Sequence, residues 1–222
     1  MSRITFKETV ASFLSASFAI EGPFAYTLRG LVTNPGKVFR EFFQGKRKTY
    51  YKPVAFFVLT SALYIIIKTL INFDPLNGQI AIESEGEKIP RMLVKTREAA
   101  RFMVSHINHI LIFLVFAIAL ITKLFFWKKY NLTEYTVVGF FIAGMYILVG
   151  IPLMFITKYT SFNSSQIQIL LLFVYIMYSI LSLFTKRNFT NLAAAFFVGI
   201  LSIAFYIILG YGFSLAVVLL KN

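Results

Sequence analysis

Residues 135–157 read YTVVGFFIAGMYILVGIPLMFIT and contain no Asp, Glu, Lys, Arg or His. A helix needs about 20 predominantly apolar residues to cross a hydrocarbon layer roughly 30 Å thick, and this stretch supplies them. Four other stretches have the same character. The five predicted spans are residues 53–73, 107–126, 135–157, 167–185 and 192–220. The sequence therefore predicts an all-α fold, a polytopic membrane helix bundle with about five transmembrane helices.

The composition agrees with this interpretation. Apolar residues make up 58% of the 222 residues and charged residues 14%, whereas soluble domains average about 25% charged residues. Cysteine is absent, which excludes disulfides and thiolate chemistry. The formal net charge of +13 would suggest nucleic acid in a soluble chain. Here the cations flank apolar spans, where they set topology, so we expect no nucleic-acid partner.

The distribution of Lys and Arg predicts the orientation. Cations are dense before the first span and recur in the second and fourth connections, whereas the third connection carries only Lys158. Because positively charged loops resist translocation, we expect a cytoplasmic N-terminus and an outward C-terminus. The polar loop 74–105 then faces outward. Its part from Arg91 to Val104 predicts a helix that leads into the second span.

Two spans carry glycine or proline at informative places. The fifth span is longer than one crossing needs, and either a kink or end at Gly210 and Gly212 or a tilt would absorb the excess. Gly150 and Pro152 predict a kink in the third span. Such a kink either is an ordinary feature of a spanning helix or builds a cavity.

Residues 1–52 predict a cytoplasmic or interfacial unit of amphipathic helices that precedes the five-helix domain, residues 53–222. Thr5 to Ile20 favours an interfacial helix, with a signal peptide as the alternative. A second, short helix follows. Asn34 can cap it, Pro35 suits its first position and Gly45 suits the left-handed residue beyond its end. We expect its apolar face to rest on the membrane surface; this face is Val38, Phe39, Phe42 and Phe43.

Residues 27–53, TLRGLVTNPGKVFREFFQGKRKTYYKP, resemble a family of uncharacterised bacterial integral membrane proteins common in Bacteroidota. The shared pattern is PGK-x-x-REF, then GKR, then Tyr and Pro. Residues 128–135, KKYNLTEY, are similar to a second motif of that family, except that Tyr135 stands where relatives often have His. The Cys-rich zinc ribbon of many members is missing. The resemblance implies a fold and a bacterial inner-membrane location, and names no substrate. The pattern residues are Asn34, Pro35, Gly36, Gly45, Tyr50 and Pro53.

A looser similarity, to Yip-type five-helix membrane proteins, rests on architecture alone. It combines a Pro-containing amphipathic N-terminal region with five spans that follow it. Because one fold hosts many unrelated functions, this similarity implies nothing about activity.

The candidate binding residues lie around the first motif. The basic cluster Lys46, Arg47, Lys48 and Lys52 either binds anionic headgroups or only fixes topology. Arg40 and Glu41 on the short helix either bond to the basic cluster or to headgroups, or form an ordinary solvated pair. Membrane lipids are therefore the expected partners, with a second copy of the chain or other membrane proteins as further partners.

The remaining polar residues predict no catalytic centre. His106 and His109 share a helical face, but a metal would need further ligands, so solvated histidines at a helix end are the alternative. Glu134 should face Lys128 or Lys129. By the predicted topology the histidines and Glu134 lie at opposite membrane faces, and no catalytic motif is present. We expect no metal, no cofactor and no enzymatic activity.

Two functions follow as hypotheses. The first is a non-catalytic multi-pass membrane protein that organises lipids or partner proteins through its N-terminal helices. The second is a small oligomeric transporter or channel, which rests on the possible cavity at Gly150 and Pro152.

Overall fold

The structure, a computed structural model, describes residues 22–76, 91–160, 164–184 and 188–220. The predicted helix from Thr5 to Ile20 and residues 77–90 of the polar loop lie outside these residues. The described residues form eight helices and no strands. The helices are α1 (Pro23–Thr33), α2 (Pro35–Phe43), α3 (Pro53–Leu70), α4 (Arg91–Ser105), α5 (Ile107–Phe125), α6 (Leu132–Tyr159), α7 (Ser165–Leu183) and α8 (Phe189–Leu220).

Five of these helices are long and apolar enough to cross a membrane, namely α3, α5, α6, α7 and α8. Their bounds differ from the predicted spans by no more than a few residues, so the all-α polytopic bundle is confirmed. The chain is a multi-pass membrane protein. The helix predicted from Arg91 to Val104 is also present, as α4.

The bundle is arranged around α6, which packs on α3, α5 and α7. Its middle residues Phe141, Ile142 and Ala143 are fully buried. Gly139 lies against the backbone of Val115 on α5, where an added Cβ would stand 2.6 Å from the Val115 carbonyl oxygen. Small residues at such positions let two spanning helices approach closely. The core is therefore formed mainly between α6 and its neighbours.

The overlong fifth span is one continuous helix. α8 runs for 32 residues through Gly210 and Gly212, a length of about 48 Å at 1.5 Å per residue. An end at these glycines was one sequence-based expectation, and it is wrong, because the helix runs through both. A kink there stays a prediction. The second half of α8 packs on α4 instead: Tyr211 Oη donates to Thr96 O (3.4 Å). Contact with α4 therefore accommodates part of the excess length.

The two ends of the bundle contain different helices and loops. We call one end the motif end; it contains α1, α2, the loop 44–52, the start of α3 and α6, and the end of α5 and α7. The far end lies opposite and contains the end of α3 and α6 and the start of α5 and α7. At the far end, Lys158 Nζ donates to the carbonyl of Ile71, and the hydroxyls of Thr157 and Ser164 lie 2.5 Å apart.

Candidate functional site

The short helix α2 is bounded by the residues that the sequence indicated. The side-chain oxygen of Asn34 accepts a hydrogen bond from the Lys37 N–H (3.0 Å), and Pro35 opens the helix. Gly45 beyond its end has φ +97°, a conformation that glycine adopts without steric cost. These local predictions are confirmed. They fix where α2 begins and ends in the chain.

The apolar face of α2 is buried against protein. Val38 and Phe39 are at most 1% exposed, and the rings of Phe39 and Phe42 pack on Phe141 of α6 at 6.1 and 6.0 Å between centroids. The sequence pattern predicts that this face rests on the membrane surface, and that prediction is wrong for Val38, Phe39 and Phe42. An apolar stripe on a helix does not by itself specify whether protein or lipid covers it.

The backbone of α2 touches the end of α7. Gly36 N–H donates to Ser182 Oγ (3.0 Å), and Ser182 Oγ lies 2.9 Å from Asn34 Oδ1, to which it donates. A Cβ on Gly36 would stand 1.9 Å from the Ser182 carbonyl oxygen. Only glycine permits this approach, because any side chain would occupy the space of the α7 backbone.

Arg40 also takes part in the contact between α2 and the end of α7. Its Nη1 donates to the carbonyl oxygens of Ser182 (2.5 Å) and Leu183 (3.0 Å). The last carbonyls of a helix have no partner within the helix and carry the negative end of its dipole. Arg40 thus satisfies two of them with a positive charge. Its partners are more than 140 residues away in sequence, so no local signal could have revealed them.

The first helix is held by two tyrosines of α7. Tyr175 Oη donates to Leu31 O (3.1 Å), and Tyr178 Oη donates to Thr33 O (2.6 Å). These carbonyls are at the end of α1, where they too lack partners within the helix. Three side chains of α7 therefore hold α1 and α2 against the bundle. None of the three was among the candidate residues predicted from the sequence.

Glu41 holds the loop that follows α2. Its carboxylate accepts hydrogen bonds from Tyr50 Oη (2.7 Å) and Lys46 Nζ (3.2 Å). The bond from Tyr50 and then the bond from Lys46 lower the pKa of Glu41. Burial and the neighbouring Glu41 carboxylate raise the pKa of the Tyr50 phenol. The expected bond from Glu41 to the basic cluster is thus present, and it positions residues 46–50.

The rest of the basic cluster is exposed. Arg47, Lys48 and Lys52 point away from the bundle core, and the Arg47 guanidinium carbon lies 5.8 Å from the centre of the Phe42 ring. A cation over an aromatic face is held weakly without losing its charge. These three cations are therefore presented on a loop that Glu41 and Tyr50 fix.

A second exposed group lies in the loop between α5 and α6. Trp127 is 64% exposed, and Lys128 Nζ lies 5.0 Å from the centre of its ring. Lys123 Nζ donates to Trp127 O (2.5 Å) and Tyr130 O (2.8 Å), which holds the loop. Tyr130 packs on Phe43 of α2, with 5.0 Å between ring centres. The loop is therefore part of the motif end.

The hydrogen-bond partner of Glu134 is not the one that the sequence predicts. It forms a capping box with Asn131: Asn131 N–H donates to the Glu134 carboxylate (2.7 Å), and Glu134 N–H donates to Asn131 Oδ1 (2.8 Å). The expected pairing with Lys128 or Lys129 is wrong, because the start of α6 offers the carboxylate a nearer donor. Both acids described at the motif end, Glu41 and Glu134, therefore already accept hydrogen bonds from within the chain.

His106 and His109 lie at the far end, where both are exposed. Their ring centres are 6.4 Å apart, and His106 Nδ1 is 3.1 Å from Phe102 O. Within the described residues, no group of three or more potential ligands surrounds them. They share neither an end nor a contact with Glu134, so these residues do not form one site.

The comparisons with known proteins point to the same segment. A family model described as "Protein of unknown function (DUF3667)" matches residues 21–65, which run from α1 through α2 into α3. The chain is similar to that uncharacterised family over this segment, whereas the Bacteroidota and Yip-type likenesses stay predictions. No curated protein and no solved structure matches the chain.

Proposed function

We propose that this multi-pass membrane protein binds anionic lipid headgroups at its motif end and organises lipid there without catalysis. The observation that carries the proposal is the exposed set Arg47, Lys48 and Lys52 on a fixed loop, next to acids that are already engaged. Each cation near an anionic leaflet is worth about 1 kcal/mol of attraction. Trp127, exposed beside Lys128, suits the interfacial region of a bilayer.

Most of the other candidate residues at the motif end position the cations and do not themselves bind the lipid. Arg40 and Glu41 act by positioning, because the first caps α7 and the second holds the loop. Lys46 bonds to Glu41 and so helps to hold the loop, and its exposed charge also adds to the cationic surface. Under the positive-inside rule the same cations favour a cytoplasmic motif end, in the inner membrane of a bacterium.

The test compares two triple variants of the purified protein by native mass spectrometry with phosphatidylglycerol and phosphatidylcholine. We expect Arg47→Gln/Lys48→Gln/Lys52→Gln to reduce the affinity for phosphatidylglycerol relative to phosphatidylcholine by up to about 100-fold. The reason is that three contributions of about 1 kcal/mol add to about 3 kcal/mol. The matched control neutralises Lys95, Arg97 and Arg101 on α4 and should keep the preference. An unchanged preference in the first variant would refute the proposal.

The alternative function, a small oligomeric transporter or channel, has one supporting observation. A cavity is present beside Gly150 of α6 at the far end. On the motif-end side of that cavity, Phe39, Phe56 and Phe141 are fully buried and pack together. A path through the described part of one chain would have to cross this aromatic layer. Solute flux in proteoliposomes that Phe56→Ala increases would support transport.

A further inference from the structure

The cavity at the far end is lined by polar side chains from four spans. It measures about 220 Å³ and lies between α3, α5, α6 and α7. Tyr64, Asn108, Tyr146 and Gln168 each contribute a polar group to its wall. Gly150 leaves room for one of them, because a Cβ there would stand 2.8 Å from Gln168 Nε2. The spans thus bring together polar groups that are far apart in sequence.

These four side chains have no hydrogen-bond partner within the described residues. A polar group inside a membrane domain is costly unless something bonds to it. Two other lining residues, Thr157 and Ser164, bond to each other through their hydroxyls. The cavity wall therefore offers two amides and two phenols to an occupant that can both donate and accept.

The charge of the wall limits the occupant. Among the described residues that line the cavity, none is Asp, Glu, Lys, Arg or His. An ionised head buried here would have no counter-charge, and burying an unpaired charge is much more costly than burying a hydroxyl or amide. The part of the occupant within the cavity is therefore uncharged.

A separate apolar groove lies on the motif-end side of the cavity. It also measures about 220 Å³, lies between α6 and α7, and is almost wholly apolar. Tyr146 lines both the cavity and the groove. Gly150 faces Gln168, so the antiparallel α6 and α7 place Tyr146 near Leu172. The groove is lined by Met145, Tyr146, Val149, Leu171, Leu172, Val174, Tyr175 and Tyr178.

We propose that the far end binds a single-chain amphiphile with an uncharged hydrogen-bonding head, such as a monoacylglycerol. The head occupies the polar cavity, where Tyr64, Asn108, Tyr146 and Gln168 bond to it. The alkyl chain lies in the groove between α6 and α7. This site is separate from the cationic surface of the motif end and has the opposite preference, for a neutral rather than an anionic lipid.

Binding to the full-length protein in detergent, followed by native mass spectrometry, tests the proposal with three probes: 1-monooleoylglycerol, oleate and glycerol. We expect tight binding of the first only, because oleate carries a carboxylate at neutral pH and glycerol lacks the chain. Equal binding of oleate would overturn the uncharged head. Binding of glycerol alone would indicate a small polar solute site, and binding of none would indicate water only; either result refutes the amphiphile.

A pair of glutamine variants on α7 locates the site. Gln168→Leu removes a cavity amide, whereas Gln166→Leu makes the same change on an exposed side chain two residues away. We expect Gln168→Leu to weaken monooleoylglycerol binding about tenfold, the usual effect of one lost hydrogen bond, and Gln166→Leu to leave it unchanged. Equal effects of the two variants would place the probe elsewhere.

A second measurement uses the wild-type chain and does not depend on a variant's folding. A monoacylglycerol with a diazirine in its alkyl chain is crosslinked, and the labelled peptides are sequenced. We expect label on α6 and α7 at residues 145–149 and 171–178. Label confined to the outer faces of α3 or α8 would refute the groove as the chain site.

Discussion

The contacts of α2 at the motif end and the cavity at the far end differ in whether their polar side chains have hydrogen-bond partners. At the motif end, Asn34, Arg40 and Glu41 each bond to a partner within the chain. At the far end, Tyr146 and Gln168 line a cavity and have no such partner among the described residues. Satisfied polar groups hold helices in place, whereas unsatisfied ones raise the free energy of the empty site. We therefore expect the contacts at the motif end to stabilise the fold and the cavity at the far end to bind an occupant.

The largest expected effect comes from Gly36, where α2 touches α7. Gly36→Ala would place a Cβ 1.9 Å from the Ser182 carbonyl oxygen, so α2 must move away from α7. We expect a loss of about 3 kcal/mol of stability, at the upper end of overpacking effects, measured as the thermal unfolding midpoint in detergent.

Gly212→Ala is the matched control for that change. Nothing lies within 4 Å of its added Cβ, and alanine favours helix over glycine by about 1 kcal/mol. The control should therefore leave the midpoint unchanged or raise it. If Gly36→Ala behaves like Gly212→Ala, the close contact between α2 and α7 is wrong.

Arg40→Ala should have the next largest effect. It removes two hydrogen bonds to the α7 carbonyls, and a bond to a charged group contributes about 1.5–3 kcal/mol. Because Arg40 is only half-buried, water can replace part of this contribution. We expect a loss of about 2 kcal/mol in the same unfolding measurement. Lys37→Ala on the exposed side of α2 is the control. A loss no larger than that of Lys37→Ala would show that Arg40 faces solvent.

Removal of single hydroxyls should separate satisfied from unsatisfied groups. Tyr135 is fully buried, and its hydroxyl donates to Phe126 O (2.8 Å), so Tyr135→Phe should cost about 1 kcal/mol. The Tyr206 hydroxyl is buried and has no hydrogen-bond partner among the described residues, so Tyr206→Phe should be neutral or stabilising. Both are measured by thermal unfolding. Equal losses would indicate that Tyr206 has a partner after all.

The sequence could predict what depends on neighbours in the chain. The five spans follow from apolar runs, and the bounds of α2 follow from Asn34, Pro35 and Gly45, because span length and helix capping are local. The partner of Arg40 could not be predicted, since Ser182 is far away in sequence. The same holds for the far-end cavity, where Tyr64, Asn108 and Gln168 meet only once the spans pack.

The smallest expected effect is the acid sensitivity of Glu41. The bonds from Tyr50 and Lys46 lower its pKa from 4.5, so the folded chain binds the proton more weakly than the unfolded chain. Its contribution is complete above pH 4.5 and is lost as the pH falls through the lowered value. Glu41→Gln should therefore unfold at a lower temperature than wild type at pH 7, and the difference should close in stronger acid. Glu98→Gln on exposed α4 is the control, and a gap for Glu41→Gln that stays constant down to pH 3 would show that the charge of Glu41 contributes nothing.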